Sequence, residues 1–167
     1  MALIPPDVRA TRDFRIIKGL DNILRTDHAV DTSVSTAERG QWLVLNGSNA
    51  LVNTSTETLA SPAQNVVCCW TKYVKDDPSA GQSDAVATGN ITSVSGSYMA
   101  ETKFFESTGT FTPGFLLVVQ ADTTTAAKGV LNAVDGASAT AKQIAGSVGR
   151  VVKLENGVLT YRTNGAA

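Results

Sequence analysis

Asn156-Gly157 stands between two runs rich in β-formers, 148–155 and 158–162, and no other stretch restricts the fold of this chain as tightly. A two-residue type I′ turn needs positive φ at both central positions, which Asn and Gly adopt at low cost. Such a turn opposes Glu155 with Val158, Leu154 with Leu159, Lys153 with Thr160 and Val152 with Tyr161. Directly opposed residues share a face of a sheet. Val152, Leu154, Leu159 and Tyr161 are therefore expected to form one apolar patch, with Lys153, Glu155 and Thr160 on the other face.

The remainder of the chain extends this β reading. Strands are expected at 42–45, 50–52, 66–74, 91–94, 98–105, 115–120 and 129–134, separated by stretches rich in Gly, Pro, Asn, Ser and Thr. Apolar residues on both faces of 66–74 predict a central strand covered on both sides. Pro113-Gly114 has the chemistry of a type II turn, and 135–146 has room for one helical turn. Short strands at spacings of this kind predict an all-β fold, a compact barrel or sandwich of antiparallel strands.

Residues 1–28 read differently and are assigned to an N-terminal arm, with the body at 29–167. Arg9, Arg12, Arg15 and Lys18 recur at threes among Asp7, Asp13 and Asp21, while Phe14, Ile16, Ile17, Leu20, Ile23 and Leu24 supply apolar anchors. Two forms fit: a short amphipathic helix over 16–24 interrupted by Gly19, or an extended arm lying on another surface. Either way its apolar side chains must dock on the body or on a neighbour. The interleaved acids favour contact with a partner protein over contact with phosphate.

Composition narrows the functional classes. The 167 residues carry a formal net charge of −1, so no whole-protein field draws in nucleic acid or an anionic membrane, and neither is expected as a partner. No apolar run approaches the ~20 residues needed to span a bilayer. The start, Met-Ala-Leu-Ile-Pro-Pro-Asp, has neither a basic leader nor an apolar export core, which predicts assembly in a host cytoplasm. Cys68 and Cys69 are the sole cysteines; as strand neighbours they face opposite ways and read as two buried thiols, without zinc spacing.

A search for reactive constellations yields little. His28, the one histidine, sits at the arm's end with no evident orienting partner and reads as a surface or cap residue. Asp76-Asp77 lacks the spaced oxygen ligands of a calcium loop and reads as a solvated turn in the long polar stretch 75–90. Sequons at Asn46, Asn53 and Asn90 are attributed to a chain rich in Ser and Thr. The expectation is a protein that is not an enzyme, with no catalytic residue, cofactor or metal.

Gly109-Thr-Phe-Thr-Pro-Gly-Phe-Leu-Leu-Val-Val, Gly129-Val-Leu and the segment from Val148 through Asn156-Gly157 to Arg162 together resemble the layout of small virion proteins of tailed bacteriophages. The likeness covers the C-terminal third and is to head decoration (capsid cement) proteins. It implies a compact β-barrel that binds the capsid exterior and clamps neighbouring copies of the major capsid protein, as a homo-oligomer, dimer or trimer. On that reading the arm contacts fall on Leu3, Ile4, Arg9, Arg12, Phe14 and Ile17, and removal of residues 1–18 should weaken shell binding while leaving a folded body. The alternatives are a tail-tube, tail-completion or baseplate component, a carbohydrate- or receptor-binding module stacking ligands on Trp42, Trp70 or Tyr73, and a hydrolase whose site the sequence conceals.

Overall fold

The structure is a computed structural model and describes residues 14–45, 50–53, 66–71, 73–74, 90–120 and 129–164. Its strands are β1 (Phe14–Lys18), β2 (Ile23–Val30), β3 (Thr36–Ala37), β4 (Trp42–Leu45), β5 (Ala50–Asn53), β6 (Val66–Cys69) and β7 (Tyr73–Val74). They continue with β8 (Asn90–Gly96), β9 (Met99–Thr102), β10 (Leu116–Gln120), β11 (Val130–Val134), β12 (Gly149–Glu155) and β13 (Val158–Thr163). One short helix, α1 (Ala141–Ala145), begins on a capping box in which Thr140 and Gln143 each satisfy the other's backbone N–H.

The fold is all-β, as the strand spacing predicts. β1-β9-β13-β12-β10-β11 form a six-stranded antiparallel sheet, and β2-β5-β4-β6-β8 close into a barrel. The barrel is antiparallel except where β2 pairs with β5. β3 and β7 form a small separate ribbon.

Side-chain alternation builds two cores from the same strands. Trp42, Cys68 and Val94 point out of the barrel and meet Phe14, Ala100, Leu117 and Tyr161 of the sheet. Leu43, Cys69 and Ile91 point the other way and fill the barrel with Val34 and Ala37. The adjacent cysteines thus serve different cores, both fully buried and unbridged.

The terminal hairpin keeps the expected register for its first three pairs, Glu155 with Val158, Leu154 with Leu159 and Lys153 with Thr160. Asn156 and Gly157 have φ of 52° and 73°. Beyond them a bulge at Val152 shifts the ladder, so Val151 and not Val152 faces Tyr161. The apolar patch is corrected accordingly: Val151, Leu159 and Tyr161 are buried, whereas Leu154 is 41% exposed. Thr160, expected outside, is 3% exposed because β13 lies between β9 and β12. The pairs flanking it, Thr160 with Glu101 and with Lys153, bring longer side chains to either side. Leu154 stands past the last β12–β10 pair, where no described strand lies on its far side.

Two further boundaries differ from the sequence reading. The predicted strand 66–74 breaks after Cys69, and Tyr73–Val74 leave to pair with Thr36–Ala37, in a stretch where no strand is expected. Most of 14–28 is woven into the body. β1 pairs with β9 through Phe14–Thr102, Arg15–Glu101 and Ile16–Ala100, and β2 pairs with β8 along seven residues from Ile23 to Ala29. Gly19 does interrupt the segment, but as a left-handed residue (φ 86°) before the 3-10 turn Leu20–Asn22, with strands on both sides in place of a helix.

Candidate interaction surface

The contact residues expected from sequence fall into three groups. Leu3, Ile4, Arg9 and Arg12 lie outside the described residues. Phe14 is only 1% exposed and cannot be a free contact. Pairing with β9 turns it inward beside Ile16, and its ring sits on Gly40, where an added Cβ would come within 2.4 Å of the Phe14 Cβ. Gly40 also holds a φ of 88°, so glycine is required there on two counts. Ile17 is 37% exposed: the β1–β9 register slips between Ile16 and Lys18 and leaves it outside the ladder.

Ile17 has company. Among the described residues five large hydrophobic side chains are exposed, and three of them cluster in sequence where β1 gives way to β2: Ile17 near the end of β1, Leu20 (55%) in the turn and Leu24 (64%) at the start of β2. β1 is an end strand of its sheet, with no described strand on its outer side. A strand edge without a described neighbour, next to a run of exposed apolar side chains, is the physical form of a contact surface. The sequence carried these three residues as arm anchors; which of the arm's apolar residues face out was decided by strand pairing.

The reactive groups are placed differently. His28 Nε2 lies 2.8 Å from the Ser93 hydroxyl, a histidine–serine pair from β2 and β8 that sequence reading missed, 65 residues apart. Ser93 is 2% exposed, and its hydroxyl also lies 3.2 Å from the Thr26 carbonyl, to which it can donate. Which of the pair donates is set by the imidazole tautomer: with the Ser93 proton on Thr26, His28 donates, and with it on His28, the imidazole accepts. Burial holds the His28 pKa below the usual histidine range, with Asp27 opposing weakly. The Asp27 carboxylate is engaged by the Thr92 hydroxyl at 2.6 Å.

Burial pushes the Cys68 thiol up to about 12 and Cys69 well above the ordinary thiol range, so neither is a ready thiolate. The hydroxyls of Tyr98 and Tyr161 are buried near Cys68 without a hydrogen bond of good geometry, and burial raises both their pKa values. Glu106 is a buried carboxylate that the sequence did not single out. It accepts from the Thr108 hydroxyl at 3.1 Å and Gln120 Nε2 at 3.2 Å, while its backbone N–H donates to the Leu131 carbonyl. These bonds fasten the turn after β9 to β10 and β11.

The aromatic platform is also occupied. The guanidinium groups of Arg25 and Arg39 lie 4.4 and 4.3 Å from the Trp70 ring centroid, so a sugar stacking there would compete with them. Trp42 is 5% exposed, and the Tyr73 side chain lies outside the described residues, as do Asp76 and Asp77. No group of His, Cys, Asp and Glu among the described residues is arranged to hold a metal ion. Comparison of the chain with protein-family models, with curated proteins and with solved structures gives no match.

Proposed function

We propose that the protein is a structural component of a virion, a capsid decoration protein that binds the outer shell and clamps neighbouring major capsid subunits, working through shared surface in place of a reactive group. The observation that carries this reading is the exposed apolar run Ile17, Leu20 and Leu24, from the end of β1 to the start of β2, beside the edge of β1 on which no described strand lies, directly downstream of the segment that holds Leu3, Ile4, Arg9 and Arg12. An edge strand extends its ladder onto a neighbour through main-chain hydrogen bonds, and adjacent apolar side chains supply burial. Many copies on one lattice turn modest contacts into firm retention, and a net charge of −1 keeps their mutual repulsion small.

The test is addition of purified protein to shells that lack it, followed by sedimentation and counting of copies against the major shell protein. Near-stoichiometric binding is expected, weakened by Leu20→Ser with Leu24→Ser and by a truncation that stops before Phe14. The sequence alone placed that cut after Lys18, but this would remove the buried Phe14 and Ile16 and with them the fold. Absence of shell binding by the intact protein refutes the proposal, and assembly into rings or tubes without shells would assign it to the tail.

A further inference from the structure

A row of cations crosses the outer face of the six-stranded sheet. Met99 of β9 pairs with Lys18 of β1 on one side and with Arg162 of β13 on the other, and Arg162 pairs in turn with Arg150 of β12. Three exposed cations thus share one line across four strands and line one groove of about 500 Å³. Arg150 and Arg162 are directly opposed, an arrangement that like charges disfavour.

Among the described residues, nothing in the groove balances them. None of its lining residues is acidic. The two glutamates on this face are committed elsewhere, Glu101 to Arg15 at 2.5 Å and Glu155 to Lys153 at 2.7 Å. Arg150 is steadied by one bond from its Nη1 to the Gly114 carbonyl at 3.0 Å, which leaves most of its guanidinium donors unused by side-chain partners.

We infer that this groove binds an acidic, extended peptide segment of a partner protein, through carboxylates at alternate positions. Four adjacent strands at ~4.8 Å spacing set Lys18 and Arg150 about 14 Å apart at the backbone, and carboxylates at i, i+2 and i+4 of an extended chain span about the same distance. Arginine forks take carboxylates in bidentate pairs. Nucleic acid fits less well, because three contacts and a net-negative protein supply little of the counterion release on which such binding depends. This inference is independent of the proposed function, since the groove lies on the sheet face and recognises the segment whatever particle carries it.

The probe is a fluorescent Asp-Thr-Asp-Thr-Asp peptide, titrated by anisotropy against the whole protein at low salt, with Asn-Thr-Asn-Thr-Asn as its uncharged control. The acidic peptide is expected to bind in a salt-sensitive manner. Arg150→Ser and Arg162→Ser should each weaken it about five-fold, and Lys103→Ser, on an exposed lysine outside the groove, should not. Without peptide, Arg162→Ser should melt no lower than the parent, because it relieves the Arg150–Arg162 opposition; a large drop would make the row a structural feature and overturn the inference. So would equal binding of the Asn peptide, no binding at millimolar concentration, equal loss in Lys103→Ser, or preferential binding of oligo-dT or polyphosphate.

Discussion

Replacing Phe14 with alanine tests whether the segment before Gly19 belongs to the body. The side chain is 1% exposed and lies in the core between sheet and barrel. Truncations of this kind cost ~3–5 kcal/mol, from lost transfer energy and the cavity left behind. One wall of the seat is Gly40, whose backbone cannot swing in to fill a void as a side chain would, which favours the middle of the range, about 4 kcal/mol. With a urea m-value of ~2 kcal/mol/M for a chain of this size, the midpoint should fall by about 2 M. Urea titration followed by fluorescence of Trp42 and Trp70 reads this directly. Ile17→Ala, at a 37% exposed site, should move the midpoint by less than ~0.5 M. If Phe14→Ala leaves too little folded protein, Phe14→Leu should still cost ~1–1.5 kcal/mol. Equal midpoints for Phe14→Ala and Ile17→Ala would refute the placement of β1 and restore a free arm.

Two further predictions address buried groups. Cys68 and Cys69 should resist a thiol reagent in native protein at pH 8 and both react once urea unfolds it, since burial holds Cys68 at about 12 and Cys69 well above the ordinary thiol range; rapid native labelling of either would contradict the two-core packing. His28 should make stability fall in mild acid. Its folded pKa lies below the unfolded value near ~6.5, so the unfolded chain takes up the proton first and stability, complete above that value, drains as pH falls towards the folded pKa. Urea midpoints compared at pH 7.5 and 5.5 should show a smaller acid loss in His28→Gln than in the parent, and equal losses would count against the half-buried pairing with Ser93.

Local chemistry determined several elements in advance. Asn156-Gly157 set the turn and the first three pairs of the hairpin. Pro113-Gly114 set a turn closed by the Phe115 N–H on the Thr112 carbonyl, with Gly114 at φ 91°. The alternation of 66–70 placed Cys68 and Cys69 in opposite directions. In each case backbone preference or a period of two suffices, because the determining residues are neighbours in the chain.

Strand pairing decided the rest. The bulge at Val152 and the burial of Thr160 depend on which strands flank β12 and β13, and no local pattern encodes that. Residues 14–18 look like an arm because apolar and charged residues alternate there, yet the same alternation serves an edge strand once β9 is available to receive it. Both functional readings rest on this tertiary layer. The exposure of Ile17, Leu20 and Leu24 follows from where β1 and β2 enter different sheets, and the line of Lys18, Arg162 and Arg150 joins residues more than 140 positions apart in sequence. Sequence fixes what each segment prefers, whereas contact between distant segments determines which side chains remain for a partner, because burial is a property of the assembled surface.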